Sequence, residues 1–227
     1  MLKCLIALVI ACAMPGVAAA QTPPTSADVQ GYTGLLAAAH KGDVPEITRL
    51  LAAKADPNVR DSWGRTPLQI AAYGSHYDAV RALKAGGGDI RAFDRQRYDV
   101  ITIAAVKDDV QMLRLAIELG GDPRATTSPY DGTALIAAAH LGHDEVVRVL
   151  LDAGAPVDHI NNLGWTALIE AIILGQGGPR HVACVRAILN ARANPNIADR
   201  QGQSPLKLAT SRGYPDMIAL ITAAGGT

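Results

Sequence analysis

From residue 33 onward, apolar and polar positions follow two registers that alternate along the chain. One stretch is almost wholly apolar, as in Pro67-Leu68-Gln69-Ile70-Ala71-Ala72 and Ala134-Leu135-Ile136-Ala137-Ala138-Ala139. The next carries apolar residues at i, i+1, i+3 and i+4, as in Val146-Val147-Arg148-Val149-Leu150, which is the spacing of one helix face. The pattern predicts pairs of short helices. Threonine or serine opens the first helix of a pair, because its hydroxyl accepts an unpaired backbone N–H. Pro67 and Pro205 follow such a residue, at the first helical position, where a missing N–H costs nothing. Gly42, Ser75, Gly142, Gly175 and Gly213 close the first helices, and Gly154 closes a second one, as a left-handed terminator does. Asp56-Pro57-Asn58 and Asn194-Pro195-Asn196 then lead into turns.

These pairs repeat. The helix-opening positions are 33, 66, 99, 133, 166 and 204, spaced by 33, 33, 34, 33 and 38 residues. A fixed period of this size is the mark of stacked repeats. Taken together, Thr66-Pro67-Leu68, Gly142-His143-Asp144-Glu145-Val146-Val147 and Ala193-Asn194-Pro195-Asn196 resemble ankyrin repeats. The resemblance covers about residues 31–227. It implies an all-α solenoid of about six helix-turn-helix repeats with projecting β-hairpin-like loops, each repeat burying its apolar face on its neighbours. The repeats fall at about 31–60, 61–93, 94–127, 128–160, 161–198 and 199–227, after a linker at 21–30. The stretch Asn161-Asn162-Leu163-Gly164-Trp165-Thr166-Ala167-Leu168-Ile169-Glu170-Ala171 is similar to ankyrin proteins exported by proteobacteria, some of which are associated with catalase function and peroxide resistance.

Three departures from the family pattern carry expectations. The histidine that usually follows Thr-Pro-Leu is replaced by Gln69, Thr102, Ile136, Ile169 and Lys207, so the inter-repeat hydrogen bonds of that histidine are not expected. In the third repeat Asp99 stands for threonine and Val100 for proline, which predicts the weakest link of the stack. The fifth repeat carries five extra residues, Gln176-Gly177-Gly178-Pro179-Arg180, which should loop out because Gly-Gly-Pro cannot continue a helix.

Residues 1–20 differ from the rest. Lys3, an apolar run from Cys4 to Ala13, and Val17-Ala18-Ala19-Ala20 have the layout of a secretory signal peptide. Cleavage would leave Gln21 first and predicts an exported protein, periplasmic or secreted. Val9-Ile10-Ala11-Cys12 keeps a lipid anchor at Cys12 as a minor alternative. Loss of Cys4 and Cys12 leaves Cys184 as a lone thiol, so no internal disulfide is expected.

The chain has 21 basic and 21 acidic residues, without the basic excess of a nucleic-acid binder. His140 and His143 are three apart but fall at the end of one helix and the start of the next, so a packing role is expected and no metal site. Glu170 is a lone acid without a partner base or nucleophile. No phosphate-cradling loop or nucleophile motif is present, so neither catalysis nor a cofactor is expected.

The resemblance implies binding of another protein through loop tips and the exposed side of the first helices. The repeat register places Trp63, Arg65, Tyr98, Tyr130, Leu163 and Trp165 on tips, and Tyr73, Leu141, Ile173 and Leu174 on the first helices. Trp, Tyr and Arg are enriched in interface cores, which makes these ten the candidate partner-binding residues. The same aromatic rings could instead pack between adjacent loops. The expected function is a non-catalytic interaction module of the bacterial cell envelope. The alternatives are an accessory factor for an oxidative-stress enzyme such as catalase, or a secreted effector or immunity-type binding protein.

Overall fold

A computed structural model describes residues 21–227; the signal-peptide and Cys12 expectations lie outside the described residues. Helix α1 (Ser26–Gln30) precedes six pairs. These are α2 (Gly34–Lys41) with α3 (Val44–Ala52), α4 (Pro67–Tyr73) with α5 (Tyr77–Ala85), and α6 (Val100–Val106) with α7 (Val110–Glu118). They continue as α8 (Ala134–Leu141) with α9 (Asp144–Asp152), α10 (Ala167–Ile173) with α11 (Pro179–Asn190), and α12 (Pro205–Arg212) with α13 (Pro215–Ala223). The first helices of successive pairs pack on one another, from α2 through α12, and form one layer. The second helices form the other.

Local chemistry accounts for the helix starts. Thr66, Thr133, Thr166 and Ser204 each accept the backbone N–H three residues on. Asp99 does the same for Thr102, so the carboxylate substitutes for the hydroxyl. Thr33 makes no such bond. The layers close on small residues: Ala38-Ala39, Ala71-Ala72, Ala104-Ala105 and Ala138-Ala139 are at most 3% exposed, which lets neighbouring helix backbones come close. One apolar cluster runs unbroken from Leu35 to Ile221.

Histidines join repeat to repeat. A ring nitrogen of His76 lies 3.0 Å from the His40 carbonyl, one of His143 lies 2.8 Å from that of Ala105, and one of His181 lies 3.0 Å from that of His140. In the last repeat the Tyr214 hydroxyl takes this part, donating to the Gly175 carbonyl.

Three expectations change. First, the inter-repeat bonds of the missing histidine are not all lost. Gln69 accepts the Thr66 N–H and donates to the Ala92 carbonyl at the end of its own repeat and to the Tyr98 carbonyl of the next. Its amide is long enough to span the gap and carries both a donor and an acceptor. Second, the fifth-repeat insert does not simply loop out. Gly178 caps α11, and Pro179 and Arg180 form its first turn, so that helix has 12 residues where α9 has nine. Arg180 then reaches back to Asp144 in the fourth repeat and Asp108 in the third. Third, residues 21–30, expected as a linker, contain α1, which is opened by a reciprocal capping box between Thr25 and Asp28.

The third repeat is where the second layer loosens. Helices α5 and α7 pack less closely than the other neighbouring second helices. A cleft of about 560 Å³ lies between them, lined by Tyr77, Arg81, Val110, Arg114 and Glu118. The Arg81–Glu118 ion pair, at 2.9 Å, crosses it.

Candidate protein-binding face

The loop tips are built by one device. In four repeats an Asp or Asn five residues before the helix cap accepts two backbone N–H groups with a single side-chain oxygen. Asp61 accepts from Trp63 and Arg65, and Asp94 from Gln96 and Tyr98. Asn161 accepts from Leu163 and Trp165, and Asp199 from Gln201 and Gln203. Side chains of this type mimic a backbone turn. In the same loops the Asp or Asn backbone N–H is bonded to the carbonyl four residues on. The fourth repeat replaces the device with Thr127 and a short antiparallel bridge to Gly132. The Asp/Asn-to-cap spacing is visible in the sequence and was the missed signal for tip geometry.

These tips hold the candidate residues at very different depths. Trp63, Leu141 and Leu163 are open, at 39%, 40% and 40% exposed. Tyr73, Tyr130, Trp165, Ile173 and Leu174 are half-buried. Arg65 and Tyr98 are buried, at 0% and 7%, which corrects the expectation that both stand free on tips. Phe93 and Ile160, at 39% and 51%, are large apolar residues that the repeat register did not single out. Each sits immediately before the Asp or Asn that opens a tip.

Arg65 is buried because the N-terminal segment folds over it. Its guanidinium donates to Asp61 at 2.7 Å, Asp28 at 3.0 Å, the Tyr32 hydroxyl at 3.2 Å and the Thr22 carbonyl at 3.0 Å. Trp63 covers it, with the guanidinium carbon 5.9 Å from the ring centroid. The Thr25 backbone N–H, with Arg65 assisting, lowers the Asp28 carboxyl to about 2. Tyr98 is drawn in by the neighbouring repeat, whose Gln69 bonds its carbonyl; burial raises its phenol.

Glu170 lies on the floor between the fourth and fifth repeats, 4% exposed. Asn161 donates to its Oε1 at 3.0 Å. His140 Nδ1 stands 3.5 Å from Oε2, but alignment leaves that oxygen without a hydrogen bond. Burial raises the carboxyl to about 7. His140 is lowered, first by burial and then by the neighbouring His181. Both shifts favour the uncharged forms, and the pair is a structural arrangement with no nucleophile recorded beside it among the described residues. Cys184 is buried in α11, and burial pushes its thiol up to about 12, which removes it from thiolate chemistry. Among the described residues no group of three His, Cys, Asp or Glu side chains is placed to hold a metal ion, and no helix is long and apolar enough to cross a membrane.

Comparison with known proteins agrees with this architecture. Family descriptions of ankyrin repeats match residues 101–199 and 35–83. The crystal structure of an ankyrin repeat domain (ABAYE2397) from Acinetobacter baumannii AYE is 40% identical. It superposes with a TM-score of 0.81 over 85% of this chain and 98% of that one. EF0377, an ankyrin repeat protein, is 27% identical with a TM-score of 0.78, over 84% of this chain and 98% of that one. The ankyrin repeat protein YahD of Escherichia coli (strain K12) is 38% identical over 97 residues, which are 42% of this chain. The chain spans 48% of the length of that relative. This chain belongs to the ankyrin-repeat family. Ankyrin repeats mediate binding to other proteins, and the class is generally non-catalytic.

Proposed function

We propose that this chain is a non-catalytic binding protein of the bacterial cell envelope, exported and then engaged with another protein through its loop tips and first helices. The observation that carries the binding reading is the apolar surface left open there: Trp63, Leu141 and Leu163 each remain about two-fifths exposed in an otherwise continuous core. Exposed apolar groups of this kind mark contact surfaces. Export is supported by the leader-like order of charge, apolar run and small residues over positions 1–20.

Two measurements test the proposal. Expression of the full chain in a Gram-negative host, followed by fractionation and N-terminal sequencing, is expected to return protein that begins at Gln21 in the periplasm or medium. Intact chain in the cytoplasm overturns export. Trp63→Ala with Leu163→Ala is expected to abolish capture of the natural partner from envelope extract while the melting temperature holds. Undiminished capture removes this face from the interface.

A further inference from the structure

Zero net charge conceals a segregation of charge. In the layer of second helices the arginines are neutralised: Arg49 pairs with Glu46, Arg81 with Glu118, Arg114 with Glu145, and Arg148 with Asp144 and Glu145. Only Lys84 and Arg186 of that layer have no ionic partner among the described residues. The first-helix side is different. Lys41, Lys107, Lys207 and Arg212 are exposed there, and none has a carboxylate partner among the described residues. Lys107 reaches only the neutral Tyr73 carbonyl.

Of the carboxylates at these helix ends, Asp43 and Asp109 cap second helices and Asp216 is exposed at the start of α13; the others on this side are engaged. Asp61 holds Arg65, Asp131 pairs with Arg97, and Asp108 is taken by Arg180. Asp94 is occupied by backbone N–H groups, and Glu170 is buried against Asn161. The residues that end the first helices, as distinct from the second-helix caps that follow them, are cationic or apolar at five of six places.

The cations have a register. Eight residues past each helix-opening position stand, in order, Lys41, Gly74, Lys107, Leu141, Leu174 and Arg212. Successive first helices pack about 10 Å apart, so these six positions form a ridge that reads cation, gap, cation, apolar, apolar, cation. Packed helices hold it rigid, which suits recognition of one extended chain. At about 3.3 Å per residue, such a chain advances roughly three residues per repeat.

We propose that the partner presents an extended acidic segment to this ridge, with carboxylates opposite Lys41, Lys107 and Arg212 and apolar side chains opposite Leu141 and Leu174. The inference rests on the reading of this side as the binding face, and it adds the chemistry of what binds. The competing explanation is local: Lys or Arg at the end of a helix stabilises the helix dipole. That role affects folding only and leaves binding unchanged.

The test uses a displayed library of extended peptides, selected against protein recovered after expression of the full chain. Enriched peptides are expected to be rich in Asp and Glu and to carry apolar residues. Their affinity is expected to fall about tenfold or more in the variant Lys41→Gln, Lys107→Gln, Arg212→Gln, and to fall with added salt. The control variant Lys84→Gln, Arg186→Gln is expected to bind as the parent does. Enrichment of basic or uncharged peptides overturns the proposal. So does a triple variant that melts lower yet binds undiminished, which assigns the cations to the helix dipole alone. Duplex DNA that displaces the peptides and binds more tightly than they do would reassign the ridge to nucleic acid. The wider reading fails separately: in that case enriched peptides bind Trp63→Ala, Leu163→Ala and the triple variant alike.

Discussion

The Asn161 side chain serves two structures with its two ends: its oxygen accepts the Leu163 and Trp165 backbone N–H groups, and its amide nitrogen donates to Glu170 at 3.0 Å. The loop tip of the fifth repeat is thereby fastened to the floor beneath it. The long motif from Asn161 to Ala171 thus has a structural explanation in a nine-residue reach from loop tip to carboxyl.

This arrangement makes stability depend on pH in a defined direction. Burial lifts Glu170 to about 7 from an ordinary 4.5, and the groups facing it are Asn161 and His140. The folded state binds this proton more tightly than the unfolded chain. Its contribution is therefore full below pH 4.5 and is lost as pH rises through about 7. Glu170→Gln keeps an acceptor for Asn161 and removes the titration. Parent and variant are expected to unfold alike at pH 4, and the variant to be more stable by about 1–3 kcal/mol at pH 8. Urea titrations at the two pH values check this, and an equal gap at both would refute it.

Arg65 should be the side chain whose loss is most costly. It is fully enclosed and holds Asp61 and Asp28 in one network with Tyr32. Removing one member of a buried ion pair strands the other charges. Arg65→Met is expected to cost about 3 kcal/mol and to expose residues 21–32 to protease. Denaturation together with limited proteolysis reads both, and a small cost with an intact N-terminus would contradict the network.

Gln69 stands at the position of the family's histidine and bonds three buried backbone groups. Gln69→Leu keeps similar bulk but leaves those groups unpaired. Each buried orphan costs about 1–3 kcal/mol, partly relieved by relaxation, so a loss of about 2–3 kcal/mol is expected in thermal or urea unfolding. Ile169→Leu, at the equivalent place in the fifth repeat, is expected to cost less than about 1.5 kcal/mol.

Two tip glycines separate backbone strain from crowding. Gly164 and Gly202 both have positive φ, at 84° and 71°. A Cβ at Gly164 would lie 2.5 Å from Cγ of Arg200, whereas one at Gly202 meets nothing within 4 Å. Gly202→Ala is expected to cost about 1 kcal/mol from the left-handed backbone alone. Gly164→Ala should cost more and should displace Arg200, whose guanidinium bonds the Asn162 carbonyl. Equal losses in unfolding experiments would show that Arg200 yields without penalty.

The repeat, the helix pairs and their starts follow from local sequence. Caps such as Thr66 and terminators such as Gly142 act within one repeat, so their meaning survives without knowledge of neighbours. A packing role for His143 was legible from its place between two helices, although its partner, the Ala105 carbonyl, lies in the preceding repeat. Only the tertiary structure decided which members of the candidate face are open. Arg65 and Trp63 occupy one tip two residues apart, yet one is enclosed and the other exposed. The difference comes from Thr22 and Asp28, 43 and 37 residues away, which chain folding alone brings over the guanidinium. Likewise, among the described residues Lys41 and Arg212 have no ionic partner although Asp43 and Asp216 lie two and four residues away, and no local pattern encodes that.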